Sequence, residues 1–143
     1  MAIDDLLRTG RIRREAVSAA EVRQALTLAE RDLRVARKLM GEEFDWGFTV
    51  AYNAVLQAAR ALMFAKGYRP ASAEGHKNTF AFLAAVLGPE HADLVSYFDR
   101  MRNKRNQAVY GMAGRIADTD ARNLLRKAAD FLRLVKRLVK DTP

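Results

Sequence analysis

The sequence has no cysteine, three prolines and two histidines, and each shortage removes a class of chemistry. Without thiols there is neither a disulfide framework nor a thiolate metal site. The two histidines, His76 and His91, share no helical face with a carboxylate at ligand spacing, so no metal site and no cofactor is expected. There is no glycine-rich phosphate loop and no Gly-x-Ser-x-Gly elbow. No apolar run approaches the roughly 18 residues of a membrane span. The opening MAIDDLLRTGRIRRE is acidic and then basic, without the apolar centre of a secretory leader. These features fit a cytoplasmic protein with no membrane partner.

What is present is enough for a core. Half of the 143 residues are hydrophobic, and this length suits one domain, 1–143, that buries well over half of its unfolded surface. Residues 1–18 form a short segment leading into it. The formal net charge of +8 favours acidic partners such as nucleic acid or nucleotides, through an attraction that salt weakens.

The eight glycines and the prolines gather at joints, and the stretches between have helical period almost throughout. No alternating strand pattern, internal repeat or low-complexity tract stands out. Residues 3–8 suit a short helix ended by Gly10. Ser18, with Glu21 three residues later, has the form of a capping box opening a long helix over 19–40. Its stripe is Val22, Leu26, Ala29, Leu33, Ala36 and Met40, widened by Leu28, Val35 and Leu39. Asp45 is the expected cap of a second helix running to Lys66, with Phe48, Tyr52, Val55, Ala59 and Leu62 inward. Ala51, Ala54, Ala58 and Ala61 form a small-residue strip that lets a neighbour approach closely.

Residues 67–75 read as a loop, and a shorter third helix covers 76–87 with Phe80, Leu83, Ala84 and Leu87 inward. A fourth covers 90–109. A fifth begins after Asp118 and continues to about Lys140 on the stripe Ala121, Leu124, Leu125, Ala128, Leu132, Val135 and Val139. Its basic face of Arg126, Lys127, Arg133, Lys136, Arg137 and Lys140 is interrupted by Asp130 and Asp141 and reads as solvated. Long helices on short loops imply antiparallel neighbours, hence an all-α, up-and-down bundle of four main helices plus a short one.

One position breaks the pattern. The stripe of the fourth helix reads Leu94, Phe98, Met101, Arg105, Ala108, so a permanent cation falls where a core residue belongs. Arg100, Arg102, Lys104 and Arg115 surround it, and Asp99 is the only acid from 99 to 115. Asn103, Asn106 and Gln107 add carboxamides, and Tyr110 and Gly111 follow at the helix end. Two readings stand. Arg105 pairs with a carboxylate of another helix, Asp45 or Glu43. Or Arg105, with Arg100, Arg102, Lys104 and Asn106, faces a phosphate or a base.

Here the residues resemble a known family. AYNAVLQAARALMFAKGYRP, EGHKNTFAFL and RNKRNQAVYG resemble, in order and spacing, blocks of the HEPN domain. The likeness is to small stand-alone prokaryotic members with Arg-x-x-Ala-x-Tyr-Gly on the fourth helix. LLRTGRIRRE and LAERDLRVARKLM extend it over nearly the whole chain. The resemblance implies a helical bundle, a homodimer with the motif at or near its interface, and a toxin-like role on RNA within a toxin–antitoxin pair. RNase members carry Arg, four to six residues, then His. Here Arg105 and Asn106 match, and Tyr110 stands in the place of the histidine.

That substitution weakens the expectation of a ribonuclease. A histidine of pKa near 6.5 moves protons at neutral pH, whereas tyrosine, near 10, is a poor base there. Tyr110 retains the capacity to donate a hydrogen bond or stack on a base, so Arg105 and Tyr110 are the residues expected to carry any catalysis. The family also implies a second role, as a non-catalytic dimeric partner of a small nucleotidyltransferase acting as antitoxin, with Tyr110 the residue open to modification. His76 matches a histidine often found at the start of the family's third helix, with helix capping or a loop contact as its expected role.

Overall fold

The computed structural model describes residues 2–71, 75–110 and 116–142, and of residues 107–110 the backbone alone. In chain order the elements are α1 (Ile3–Arg8), β1 (Ile12–Arg14), α2 (Ala19–Leu39), α3 (Phe44–Ala65), β2 (Tyr68–Pro70), α4 (Gly75–Leu87), α5 (Ala92–Tyr110) and α6 (Asp118–Lys140). The architecture is the all-α bundle that the periodicity predicts.

Its local signals act as expected in most places. Ser18 caps α2, its hydroxyl accepting from the Glu21 N–H at 3.2 Å while the Glu21 carboxylate accepts from the Ser18 N–H at 3.0 Å. Gly67 lies just past the end of α3 at φ +85°, a left-handed conformation that glycine adopts without steric cost.

α3 is the axis of the bundle, packing against α2, α6, α5 and α4. Its alanine strip at 51, 54, 58 and 61 is buried, as are Phe48, Tyr52, Val55, Ala59 and Leu62. Where α2 and α3 meet, a Cβ on Gly47 would come within 3.1 Å of the Met40 Cε. The end of the Met40 side chain would give by a few tenths of an ångström to admit it. Phe98 of α5 and Phe131 of α6 meet edge to face with ring centroids 5.2 Å apart, joining those helices through the core.

Several expectations are corrected. Asp45 does not cap α3. The cap position is Glu43, which makes no side-chain capping bond, and Asp45 sits inside the first turn, where a carboxylate still suits the helix dipole. Ala84 is exposed and Phe82 is buried instead, because α4 meets its neighbours on a face rotated from the one its apolar spacing suggests. Val35 is 37% exposed rather than part of the packed face of α2. The fourth main helix opens with a 3₁₀ turn at Pro89–His91 before α5 begins.

The loop over 67–75 contains a strand. β2 pairs antiparallel with β1, Ile12 opposite Pro70 and Arg14 opposite Tyr68. Three-residue strands are too short to show alternation, and their pairing depends on contacts remote in sequence. Ile12 is buried, and Arg69 pairs with Glu15 and with Glu21 at 2.8 Å while lying over the Phe64 ring at 4.7 Å.

A buried carboxylate was not anticipated. Asp32 of α2 is 4% exposed. It accepts from the Asn53 amide of α3 at 2.8 Å and from Arg31 at 2.9 Å. Asp32→Ala leaves the Asn53 amide without its charged acceptor. It should lower stability by about 2 kcal/mol, the scale of a lost hydrogen bond to a charged group, read as a lower urea midpoint at unchanged slope.

Candidate functional site

α5 is positioned by Val95, Phe98 and Met101, all buried, which hold one face of the helix against the core. One turn beyond Met101 the same face presents Arg105, half-buried. Its guanidinium carbon lies 5.9 Å from the centroid of the Tyr52 ring on α3, within cation–π range. The Arg105 Nε is buried without a hydrogen-bond partner among the described residues. Its Nη1 reaches the Asn106 Oδ1 at 3.4 Å, too long for a strong bond. Among the described residues no ion pair joins it to Asp45 or Glu43, and the acids that pair with α5 cations are Asp99 and Asp120, which hold Arg102 and Lys104. The expectation of a carboxylate partner at Asp45 or Glu43 is therefore corrected: the core beside α5 offers Arg105 an aromatic face.

A third helix reaches the same place. His76, in the first turn of α4, lies with its ring centroid 6.0 Å from that of Tyr52, and Phe80 lies 6.2 Å from it. Tyr52 is thus a buried floor between Arg105 on one helix and His76 on another. Burial raises the pKa of the Tyr52 hydroxyl despite the opposing pull of Arg102 and Arg105, so the phenol stays protonated. Burial, then the positive charges of Arg105, Arg60 and Arg102, push the His76 imidazole below its ordinary value. Near neutral pH it is an uncharged base among cations.

The Tyr52 hydroxyl also lacks a partner among the described residues. An unsatisfied buried hydroxyl is costly, so Tyr52→Phe should raise stability by about 1 kcal/mol, measured by urea unfolding. A loss of that size would reveal a bond to the hydroxyl.

The cations named from the sequence divide between two faces of α5. Arg102 and Arg105 share the side toward Tyr52 and His76, although Arg102 also bonds Asp99 at 3.2 Å. Arg100 and Lys104 lie toward α6. Arg100 stands 6.0 Å from the Tyr97 ring, and Lys104 pairs with Asp120 at 2.9 Å. Asn106 is exposed. The side chain of Tyr110 lies outside the described residues, as does Gly111. The basic face of α6 is partly matched to acids, Lys136 to Glu30 and Arg133 to Asp130.

Tyr52, His76 and Arg60 are the site residues that sequence reasoning missed. Tyr52 sits on a regular apolar stripe and reads as core. His76 follows a glycine at a helix start and reads as a local contact. The unexplained Arg105 pointed toward this region, and the family resemblance singled out His76 but gave it a capping or loop role.

Among the described residues no three His, Asp or Glu side chains converge to hold a metal ion. No helix among them is long and apolar enough to cross a membrane. A comparison with curated proteins gave no match. A comparison with family profiles matches the HEPN domain over residues 22–138. The match runs from the first turn of α2 to the last turn of α6 and takes in Tyr52, His76, Arg102 and Arg105, so this chain belongs to the HEPN family.

Proposed function

We propose that the chain binds RNA or a nucleotide through a phosphate held at Arg105, with Arg102 beside it, as a toxin-like member of its family. The observation that carries this reading is the Arg105 guanidinium itself. It is half-buried on a core-facing stripe, braced by an aromatic ring, and paired with no carboxylate among the described residues. Holding a cation in that state costs stability, and a phosphate supplies the charge-assisted bonds it lacks. The net charge of +8 supports an anionic ligand through long-range attraction. Asn106 is exposed beside the site and free to meet a base or sugar; Arg100 and Lys104, on the face toward α6, add to the positive charge of the helix without lining this site. The toxin–antitoxin role and a homodimer follow from the family resemblance, and light scattering of the purified chain at about twice the monomer mass would support the dimer.

Fluorescence anisotropy with a labelled single-stranded RNA, comparing the wild type with Arg105→Ala, tests the reading. Saturable, salt-sensitive binding lost in the variant supports it, and equal binding by both proteins removes it.

A second reading is favoured by one feature, Tyr110 in the place of the RNase histidine. In it the chain is the non-catalytic partner of a small nucleotidyltransferase that modifies the Tyr110 phenol. Co-expression with such an enzyme should then add a nucleotide to Tyr110, visible by intact-mass spectrometry and absent in Tyr110→Phe.

A further inference from the structure

We propose that His76 is the general base of this site and that its substrate is single-stranded RNA, cleaved at a phosphodiester held by Arg105. The inference rests on the phosphate reading of Arg105 given above and goes beyond it by assigning the proton-transfer group.

Arg105 and His76 approach one buried ring, Tyr52, at 5.9 Å and 6.0 Å. At most about 12 Å therefore separates guanidinium from imidazole, within the reach of a phosphate with its adjoining ribose. His76 is half-buried, so part of its ring remains open to a ligand. It is carried on α4, a different element from the 105–110 segment, and is invisible to a motif read along α5.

The electrostatics suit the role. Among the described residues, the groups facing His76 are Arg102 and Arg105 from α5, and Arg60 and Tyr52 from α3. All the charged ones among these described residues are cations, and none is a carboxylate that would hold the imidazole protonated. The same cations attract the phosphate and stabilise the charge that builds on it.

The reaction balances without a metal or an oxidant. The imidazole of His76 takes the proton from a ribose 2′-hydroxyl, and the 2′-oxygen forms a bond to the adjacent phosphorus. Arg105 neutralises the developing phosphorane charge. The bond from phosphorus to the 5′-oxygen breaks, and that oxygen takes a proton from water. The imidazolium returns its proton to the hydroxide so formed. The products are a 2′,3′-cyclic phosphate and a free 5′-hydroxyl.

The test compares wild type, His76→Gln and Arg105→Ala with a labelled single-stranded RNA of mixed sequence and its 2′-deoxy counterpart. Binding is followed by anisotropy and cleavage by gel and mass spectrometry. The wild type should bind both strands and cut only the RNA, leaving the cyclic phosphate. His76→Gln should bind as the wild type does and cut about 100-fold more slowly, within the usual range for a lost acid–base group. Arg105→Ala should lose both.

The wild-type pH profile is a second measurement that needs no variant. kcat/KM should fall on the acid side with a midpoint below about 6.5, as a base with a depressed pKa requires, and His76→Gln should lack that limb. RNA bound in an Arg105-dependent way but left intact overturns the role of His76 and leaves the binding reading standing. Cleavage at an undiminished rate by folded His76→Gln does the same. No binding by the wild type overturns both.

Discussion

Arg105→Ala should weaken binding of single-stranded RNA by about 100-fold at moderate salt, while folding stability stays level or rises. The size follows from removing two charge-assisted hydrogen bonds at roughly 1.5 kcal/mol each. Stability is spared because no carboxylate of a described residue depends on this guanidinium and its Nε has no partner to lose. The two effects therefore move in opposite directions, which separates a lost ligand contact from a damaged fold. Arg105→Lys keeps the charge but loses the planar fork that lies over Tyr52 at 5.9 Å. Its affinity should fall between the two, about 10-fold below the wild type, since an ammonium grips phosphate as a point charge. The salt dependence gives an independent reading: the slope of log K against log salt should shrink by about 0.7 in the alanine variant, one phosphate contact on a single strand. An unchanged slope with unchanged affinity would show that the anion binds elsewhere.

Phe98→Ala should be the most damaging core substitution on α5, costing about 3–5 kcal/mol. Phe98 is fully buried and meets Phe131 edge to face at 5.2 Å and Tyr97 at 5.7 Å. Its loss leaves a cavity and removes the ring contact that ties α5 to α6. Thermal unfolding should show a fall in Tm of roughly 10 °C for a domain of this size. The effect reaches the site because Phe98 stands two turns before Arg105 on the same face. Loosening that anchor lets the guanidinium move off Tyr52, so RNA affinity should also drop at temperatures where the variant is still folded. A shift of only a degree or two would mean that the surrounding side chains close over the gap.

Much of the bundle is legible in the sequence because its determinants are local. Ser18 and Glu21 mark the start of α2, and the reciprocal bonds between them form as the spacing requires. The end of α3 is signalled by Gly67, and α6 ends at Lys140, where its periodicity places it, although it begins at Asp118 itself rather than after it. The failures are equally specific. The paired strands over 12–14 and 68–70 join segments more than fifty residues apart, and no local pattern of three residues announces such a partner. Asp32 reads as a solvated acid on a helix rich in arginine, and its burial follows from Asn53 arriving opposite it from α3. The angular separation of Arg100 from Arg105 around α5 was available from helix geometry. What each face meets was not.

By itself the sequence determined the helices, their inward faces and the one charge that violates them, because helical period and capping depend on neighbours within a turn or two. It also determined the absence of a histidine at position 110. The tertiary structure decided what Arg105 lies against: Tyr52 from α3, with His76 delivered from α4 and no acid from Asp45 or Glu43. Periodicity fixes which side of a helix turns inward. The identity of the residues it meets there depends on how three helices cross, and that is set by packing over the whole core.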